Sequence, residues 1–254
     1  MVKKNIAVLC GDGIGPEIMQ EALKALDAVL EKYGHQFTYQ TAFFGGAAYD
    51  LCGNPFPKET IDTCDSADAI LKGPIGGPKY DRIGDPKLRP EAGALLPLRE
   101  RYDTFANYRP VRLPLALFDC SPIKGEVLTA ELDILMIREL RGGIYFGQKV
   151  EEGTNEQGHK YARDVMEYTE PQVERIARVA FSEASSMGRP LFNVHKANVL
   201  ACSRFWNRIV GRVHEAEFSE VKVEHQLVDS VAFDLVANPG KFNNSVMLLE
   251  NMMG

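Results

Sequence analysis

A short apolar run, Ile6 to Cys10, enters the turn Gly11-Asp12-Gly13-Ile14-Gly15-Pro16, and a helical pattern follows at once. Ile18, Ala22, Leu23, Leu26, Val29 and Leu30 recur at helical spacing, and Glu17 suits the first turn. Phe37 to Phe43 and Ala69 to Leu71 read as further strands, with a helix over Lys58 to Ser66 between them. Strands alternating with helices imply α/β layering around a largely parallel sheet. The glycine turn lies where a dinucleotide fingerprint would lie, but Pro16 stands at its sixth position. A Rossmann unit needs glycine there for close strand and helix packing, so a tight turn is the better reading.

The pattern changes from Ile134. A strand ending at Ile137 meets the Gly142-Gly143 turn, and Ile144 to Phe146 reads as a second β-like stretch. Glu151 to Arg163 is polar, holds Gly153 and Gly158, and reads as an exposed excursion or arm. Thr169 is placed to cap an amphipathic helix with Val173, Ile176, Ala177, Ala180 and Ala184 on one face, closed by Gly188 and Pro190. Leu191 to His195 and Val221 to Val228 read as strands, Val199 to Val213 as a helix, Val231 to Val236 as a short helix stopped by Asn238-Pro239, and Ser245 to Leu249 as the last strand.

The composition is ordinary for a globular protein, with 45% hydrophobic residues, 25% charged residues and a net charge of −6. Mild acidity without a long Lys/Arg block argues against nucleic acid as a partner. No apolar run approaches membrane-spanning length. The five cysteines lack any C-x-x-C spacing, so neither a zinc site nor a disulfide framework is suggested, and reduced, mostly buried thiols are expected. With Met1-Val2-Lys3-Lys4 leading straight into a strand, the chain reads as cytoplasmic.

Several residues suggest chemistry. Any one of Arg99, Arg109 and Arg138 would ordinarily be a surface ion pair, but three together suit a substrate with two carboxylates, which guanidinium groups grip bidentately. Lys196 follows a run of apolar strand residues, where a lysine is unusual unless it has a task. An amine deprived of water or set beside another cation gives up its proton more readily and becomes a usable base. A lone Tyr145 would be packing and a lone Asp229 an N-cap. No Ser-His-Asp order, zinc-protease helix or P-loop is present.

The strings Arg138-Glu139-Leu140-Arg141-Gly142-Gly143-Ile144-Tyr145-Phe146-Gly147 and Lys196-Ala197-Asn198-Val199-Leu200 closely resemble the 3-isopropylmalate dehydrogenase family of β-decarboxylating dehydrogenases, and Gly11 to Glu17 is similar to the same superfamily. The resemblance runs over essentially the whole chain. It implies a two-domain, non-Rossmann α/β fold, with residues 1–99 as part of a first domain and 100–250 as a second that carries a dimer-forming arm. It implies NAD-dependent oxidative decarboxylation of 3-isopropylmalate to 4-methyl-2-oxopentanoate, in leucine biosynthesis, by a homodimer using Mg²⁺ or Mn²⁺. Arg99, Arg109 and Arg138 would hold the malate moiety, and Lys196 would take the hydroxyl proton. Tyr145 would protonate the enolate left when carbon dioxide departs. Asp229 would contact substrate and metal, and Gly76, Gly77, Glu91 and Asn198 would lie at the cofactor. Lys196 and Asp229 would reach into the neighbouring subunit's site.

Three departures accompany the resemblance. The stretch from Glu91 to Arg99 is one residue longer than the usual spacing, with the extra residue expected near Ala94, which blurs the register of Leu95 and Leu96. His195 stands where the family usually has Asp before the lysine, and an imidazole cannot supply that negative charge. In the family, the string resembling Glu250 to Gly254 leads directly into further metal carboxylates and the cofactor loop, which lie beyond Gly254. An incomplete first domain and impaired turnover by this polypeptide alone are therefore expected. Two function classes stay open: an isopropylmalate dehydrogenase or a tartrate, malate or homoisocitrate relative, and a non-catalytic subunit or remnant that binds a malate-type ligand.

Overall fold

Lys3–Leu9 forms the first strand (β1), its last four residues buried, and Gly15–Tyr33 the first helix (α1). Pro16 is tolerated in the first turn, where its missing N–H had no helical partner, and Gly34 ends the helix in the left-handed conformation. Strand β2 (Gln36–Ala42), helices α2 (Gly46–Cys52) and α3 (Lys58–Asp65), strand β3 (Ala69–Lys72) and helix α4 (Leu96–Arg101) follow. The three strands make a wholly parallel sheet in the order β2-β1-β3. Helix α1 meets this sheet through Met19 and Leu23, whereas Ile18 and Val29, expected on its inner face, are exposed. The computed structural model describes every residue except Thr129, and these elements constitute the first of its two units, Met1–Tyr102.

The second unit, Asp103–Gly254, contains strands β4 (Ala106–Leu113) and β5 (Leu132–Glu139), the hairpin strands β6 (Lys149–Thr154) and β7 (Lys160–Asp164), helix α5 (Glu170–Met187), strand β8 (Leu191–His195), helix α6 (Ala201–Glu217), strand β9 (Val223–Leu227), helix α7 (Val228–Ala237) and strand β10 (Ser245–Leu249). Its main sheet has the order β4-β5-β10-β8-β9. Only the edge strand β4 is antiparallel; the others run parallel. The last strand in sequence thus lies in the middle of the sheet.

Alternation along these strands sorts two cores to the two faces. On one face Leu135, Ile137, Leu191, Val246 and Leu248 meet α5 and α6, with Phe181 and Trp206 fully buried. On the other face Ile134, Phe192, Val194, Met247 and Leu249 pack with Val231 of α7 and Phe242. Each such buried side chain contributes about 1.5–3 kcal/mol by leaving water. The face expected for α5 is the face it buries, and Gln172 reaches back to accept the Thr169 N–H at 2.9 Å.

Two local expectations fail. Ile144 to Phe146 is a turn and not a strand. Gly143 takes φ +77°, and its carbonyl accepts the N–H groups of Phe146 and Gly147, so the chain curls before it could pair. Helix α7 begins at Val228, with Leu227 as its N-cap, which places Asp229 inside the first turn and frees its carboxylate from capping. The polar stretch after Lys149 is the β6–β7 hairpin, with every residue of β7 exposed.

Candidate active site

In open parallel sheets, ligands gather beyond the carboxyl ends of the strands. In the second unit, Arg138 lies at that end of β5, Lys196 just past β8, Asp229 just past β9 and Glu250 just past β10. The ladder sets Arg109 opposite Met136, and Asn107 opposite Arg138, so the two arginines share one face as diagonal neighbours. This is the α7 face, to which strand alternation carried one residue past β8 also assigns Lys196.

Arg138 is fixed by the turn after β10. Its Nε donates to the Asn251 carbonyl at 2.7 Å and its Nη2 to Asn251 Oδ1 at 3.1 Å. Burial, and then the neighbouring Arg109 charge, lower its proton affinity, while the Tyr145 phenol acts the other way. Arg109, Arg138 and Tyr145 are therefore electrostatic neighbours. Arg109 Nη1 donates to the Gly254 carbonyl at 3.0 Å, and its Nε donates to Asn107 Oδ1 at 2.5 Å. Tyr145 is 41% exposed in the turn held open by Gly143.

Lys196 Nζ pairs with the Asp229 carboxylate. The backbone carbonyl of Lys196 accepts from Val199 and Leu200, which makes the tight turn that carries exposed Asn198 into α6. Among the described residues no group of three His, Cys, Asp or Glu side chains is placed to hold a metal ion. Asp229 could supply one carboxylate, already engaged by Lys196, whereas an octahedral Mg²⁺ site draws on more oxygen ligands than that. The described residues do not by themselves fit such an ion.

Arg99, Glu91, Gly76 and Gly77 belong to the first unit. Glu91–Leu95 is a π-helical turn, in which the Leu96 N–H bonds back to the Glu91 carbonyl, and it runs directly into α4. A π turn can hold an extra residue without breaking the helix. Gly76 has φ +95°, and a Cβ there would lie 2.0 Å from Glu91 Oε1.

Several residues escaped sequence reasoning. Asp12, 6% exposed, accepts the N–H groups of Gly46, Ala47 and Gly76 at 2.6–2.8 Å. It acts as an internal anion that ties the Gly76 loop to the start of α2. Lys72, at the carboxyl end of β3, is half-buried; burial, followed by the charge of Arg99, weakens its hold on its proton. Asn251, fully buried, donates from its backbone to Tyr168 Oη at 2.8 Å and from its side chain to the Gly142 carbonyl at 2.8 Å. An Asp in a glycine turn, or an Asn after a strand, gives no local sign of such distant partners.

The family model described as isocitrate/isopropylmalate dehydrogenase matches residues 5–254. The chain belongs to that family. Two curated isopropylmalate dehydrogenases are close relatives. One, from Bacillus licheniformis, is 44% identical over 253 residues, which cover 100% of this chain and 67% of that one. The other, from Syntrophotalea carbinolica, is 48% identical over 251 residues, covering 98% and 67%. Among solved structures, an isocitrate dehydrogenase from Methylococcus capsulatus superposes with a TM-score of 0.77 at 26% identity, over 98% of this chain and 67% of that one. The chain thus spans about two thirds of the length of these isocitrate/isopropylmalate dehydrogenase relatives. The two-domain, non-Rossmann α/β class follows from the family, and the relatives named are dehydrogenases.

Proposed function

We propose that this chain carries the substrate-gripping and proton-transferring residues of an NAD-dependent 3-isopropylmalate dehydrogenase. The observation that carries the reading is the placement of Arg109 and Arg138 on one sheet face, at the edge where Lys196 and Asp229 also lie. Two guanidinium groups on a rigid sheet match the two carboxylates of a malate, and Arg99 in the first unit is the third candidate grip. Lys196, released from Asp229, takes the proton of the substrate hydroxyl. NAD, bound with Gly76, Gly77, Glu91 and Asn198 nearby, would accept the hydride from the same carbon. Tyr145 then protonates the carbon left after carbon dioxide departs. Toward Mg²⁺ or Mn²⁺ the described residues furnish a single carboxylate, that of Asp229.

We read the assembly as a homodimer in the cytoplasm. Asp229, Phe233 and Val236 recur at helical spacing on α7, with Phe233 70% and Val236 65% exposed. That apolar stripe, continuing from Asp229, is the face a second copy would cover. Light scattering that found only monomer at micromolar concentration would remove this part of the reading. No helix among the described residues is long and apolar enough to cross a membrane.

The test is calorimetric titration with 3-isopropylmalate, with and without NAD and Mg²⁺. Binding is expected, and Arg138→Lys should weaken it by about tenfold or more, because a point charge replaces a bidentate fork. Absence of binding under all conditions would overturn the proposal. Binding without NADH formation would favour the second reading, a ligand-binding subunit. Lys72 beside Arg99 adds a cation in the first unit, so a malate bearing a third carboxylate belongs in the same titration.

A further inference from the structure

Asn251, fully buried in the turn after β10, spends its backbone and side-chain polar groups on residues around the candidate site. Its carbonyl accepts from Arg138 Nε at 2.7 Å, and its Oδ1 accepts from Arg138 Nη2 at 3.1 Å. Its backbone N–H donates to Tyr168 Oη at 2.8 Å, and its Nδ2 donates to the Gly142 carbonyl at 2.8 Å. A guanidinium only donates and a backbone carbonyl only accepts, so the Asn251 amide fits one way round. An ionised Asp of the same shape would have no donor for Gly142, and a Leu would serve neither neighbour.

Gly142 and Gly143 lie against the same frame. A Cβ on Gly142 would fall 2.6 Å from Tyr168 Cδ1, and one on Gly143 would fall 2.6 Å from Tyr168 Oη and 3.4 Å from Asn251 Cβ. The Gly142 N–H donates to Glu139 Oε2 at 2.8 Å, and the Gly143 N–H donates to the Glu167 carbonyl at 2.8 Å. The peptide between the two glycines is therefore bonded on both sides, its carbonyl to Asn251 and its N–H to Glu167. Tyr145 stands two residues further on. Its turn is closed by the N–H groups of Phe146 and Gly147, which reach the Gly143 carbonyl at 3.3 and 3.2 Å.

We infer that Asn251 is a positioning residue that couples the Arg138 grip to the turn bearing Tyr145. A carboxylate held at Arg138 fixes the guanidinium, and a fixed guanidinium holds Asn251 Oδ1. Resonance keeps an amide planar, so Oδ1 and Nδ2 move together, and Nδ2 then holds the Gly142 carbonyl. Binding tightens the turn, and by linkage a loosened turn weakens binding. The reach to substrate rests on the reading of Arg138 as the malate grip; the bracing of the turn by Asn251 does not.

The experiment is amide hydrogen exchange, followed by NMR on the full chain, with Asn251→Asp as the variant and 3-isopropylmalate as the probe. Asp keeps the shape and the Arg138 contact, and the guanidinium keeps its carboxyl ionised, but it turns an acceptor toward the Gly142 carbonyl. The Phe146 and Gly147 amides should exchange about tenfold faster in the variant, the worth of one buried hydrogen bond, while the Val246 and Leu248 amides of β10 keep their wild-type rates. Acceleration of all these amides together would mark a general loss of stability and overturn the bracing, as would unchanged rates at Phe146 and Gly147.

Saturating 3-isopropylmalate should slow exchange at Phe146 and Gly147 by about fivefold or more in the wild type. That protection should vanish in Asn251→Asp even at saturation, and the variant should bind the probe more weakly by the same factor. Should Asn251→Asp fail to fold, Asn251→Ala removes both side-chain ties without bringing a charge into the core and should behave in the same way. Binding that leaves the two amides unmoved would overturn the coupling. Absence of binding would remove the Arg138 grip and the coupling with it, and the exchange contrast between variant and wild type would still judge the bracing.

Discussion

Glu250 shows what burial does to a single carboxyl group. Desolvation pushes it up to about 7, with the Ser203 hydrogen bond acting the other way. In the unfolded chain it would release its proton in the ordinary carboxyl range, so between that range and about 7 the folded state binds the extra proton. Its stabilising contribution is fully present below the unfolded value and is lost as pH rises through the folded one, on the order of 3 kcal/mol across the window. Urea unfolding followed through Trp206, the only tryptophan, should therefore give a lower midpoint at about pH 8 than at about pH 5, and Glu250→Gln should flatten much of that slope. An unchanged slope in the variant would mean that Glu250 is not the group responsible. At this scale the sequence pointed to Arg138 and Lys196 through their surrounding strings. It was silent on Asn251, which holds Arg138, because that contact crosses 113 residues and has no local pattern.

Among the elements, the loop after β3 illustrates how glycine is used. Gly76 takes φ +95° with Glu91 packed where a Cβ would be, whereas Gly13 takes φ +56° with nothing within 4 Å. Gly76→Ala should cost about 1–3 kcal/mol through strain and displacement of Glu91. Gly13→Ala should cost about 1–2 kcal/mol, for the left-handed backbone alone. Comparing their urea midpoints checks the contrast, and Gly13→Ala proving the more damaging would contradict this account of the loop. The Glu91 to Arg99 stretch opens with a turn of wider hydrogen bonding, a geometry that its local run of residues does not announce. The amphipathic face of α5 was legible, because helical period maps directly onto one buried stripe. Ile144 to Phe146 misled because β-like composition says nothing of the positive φ at Gly143 that turns the chain away.

The molecule as a whole is two units with separate cores, and both clusters that flank the β4-β5-β10-β8-β9 sheet draw only on residues after Asp103. A fragment spanning Asp103–Gly254 should therefore fold alone and unfold cooperatively with Trp206 as the probe. Removing Ser245–Gly254 from that fragment should abolish the transition, since β10 lies between β5 and β8 and carries core residues on both faces. A cooperative transition in the shortened fragment would show that the sheet closes without its central strand.

Local order was within reach of the sequence: helices where apolar residues recur every three or four positions, strands where β-branched runs stop at glycine or proline, and the family kinship of the arginine and lysine strings. These depend on neighbours along the chain. Tertiary structure alone decided that the last strand is central, that Asp12 clamps the Gly76 loop, that Arg109 and Arg138 share a face, and that the Ser203 hydroxyl reaches Glu250. Each of those depends on strand order and register, which are set by the simultaneous burial of both faces of a sheet and not by any local run of residues.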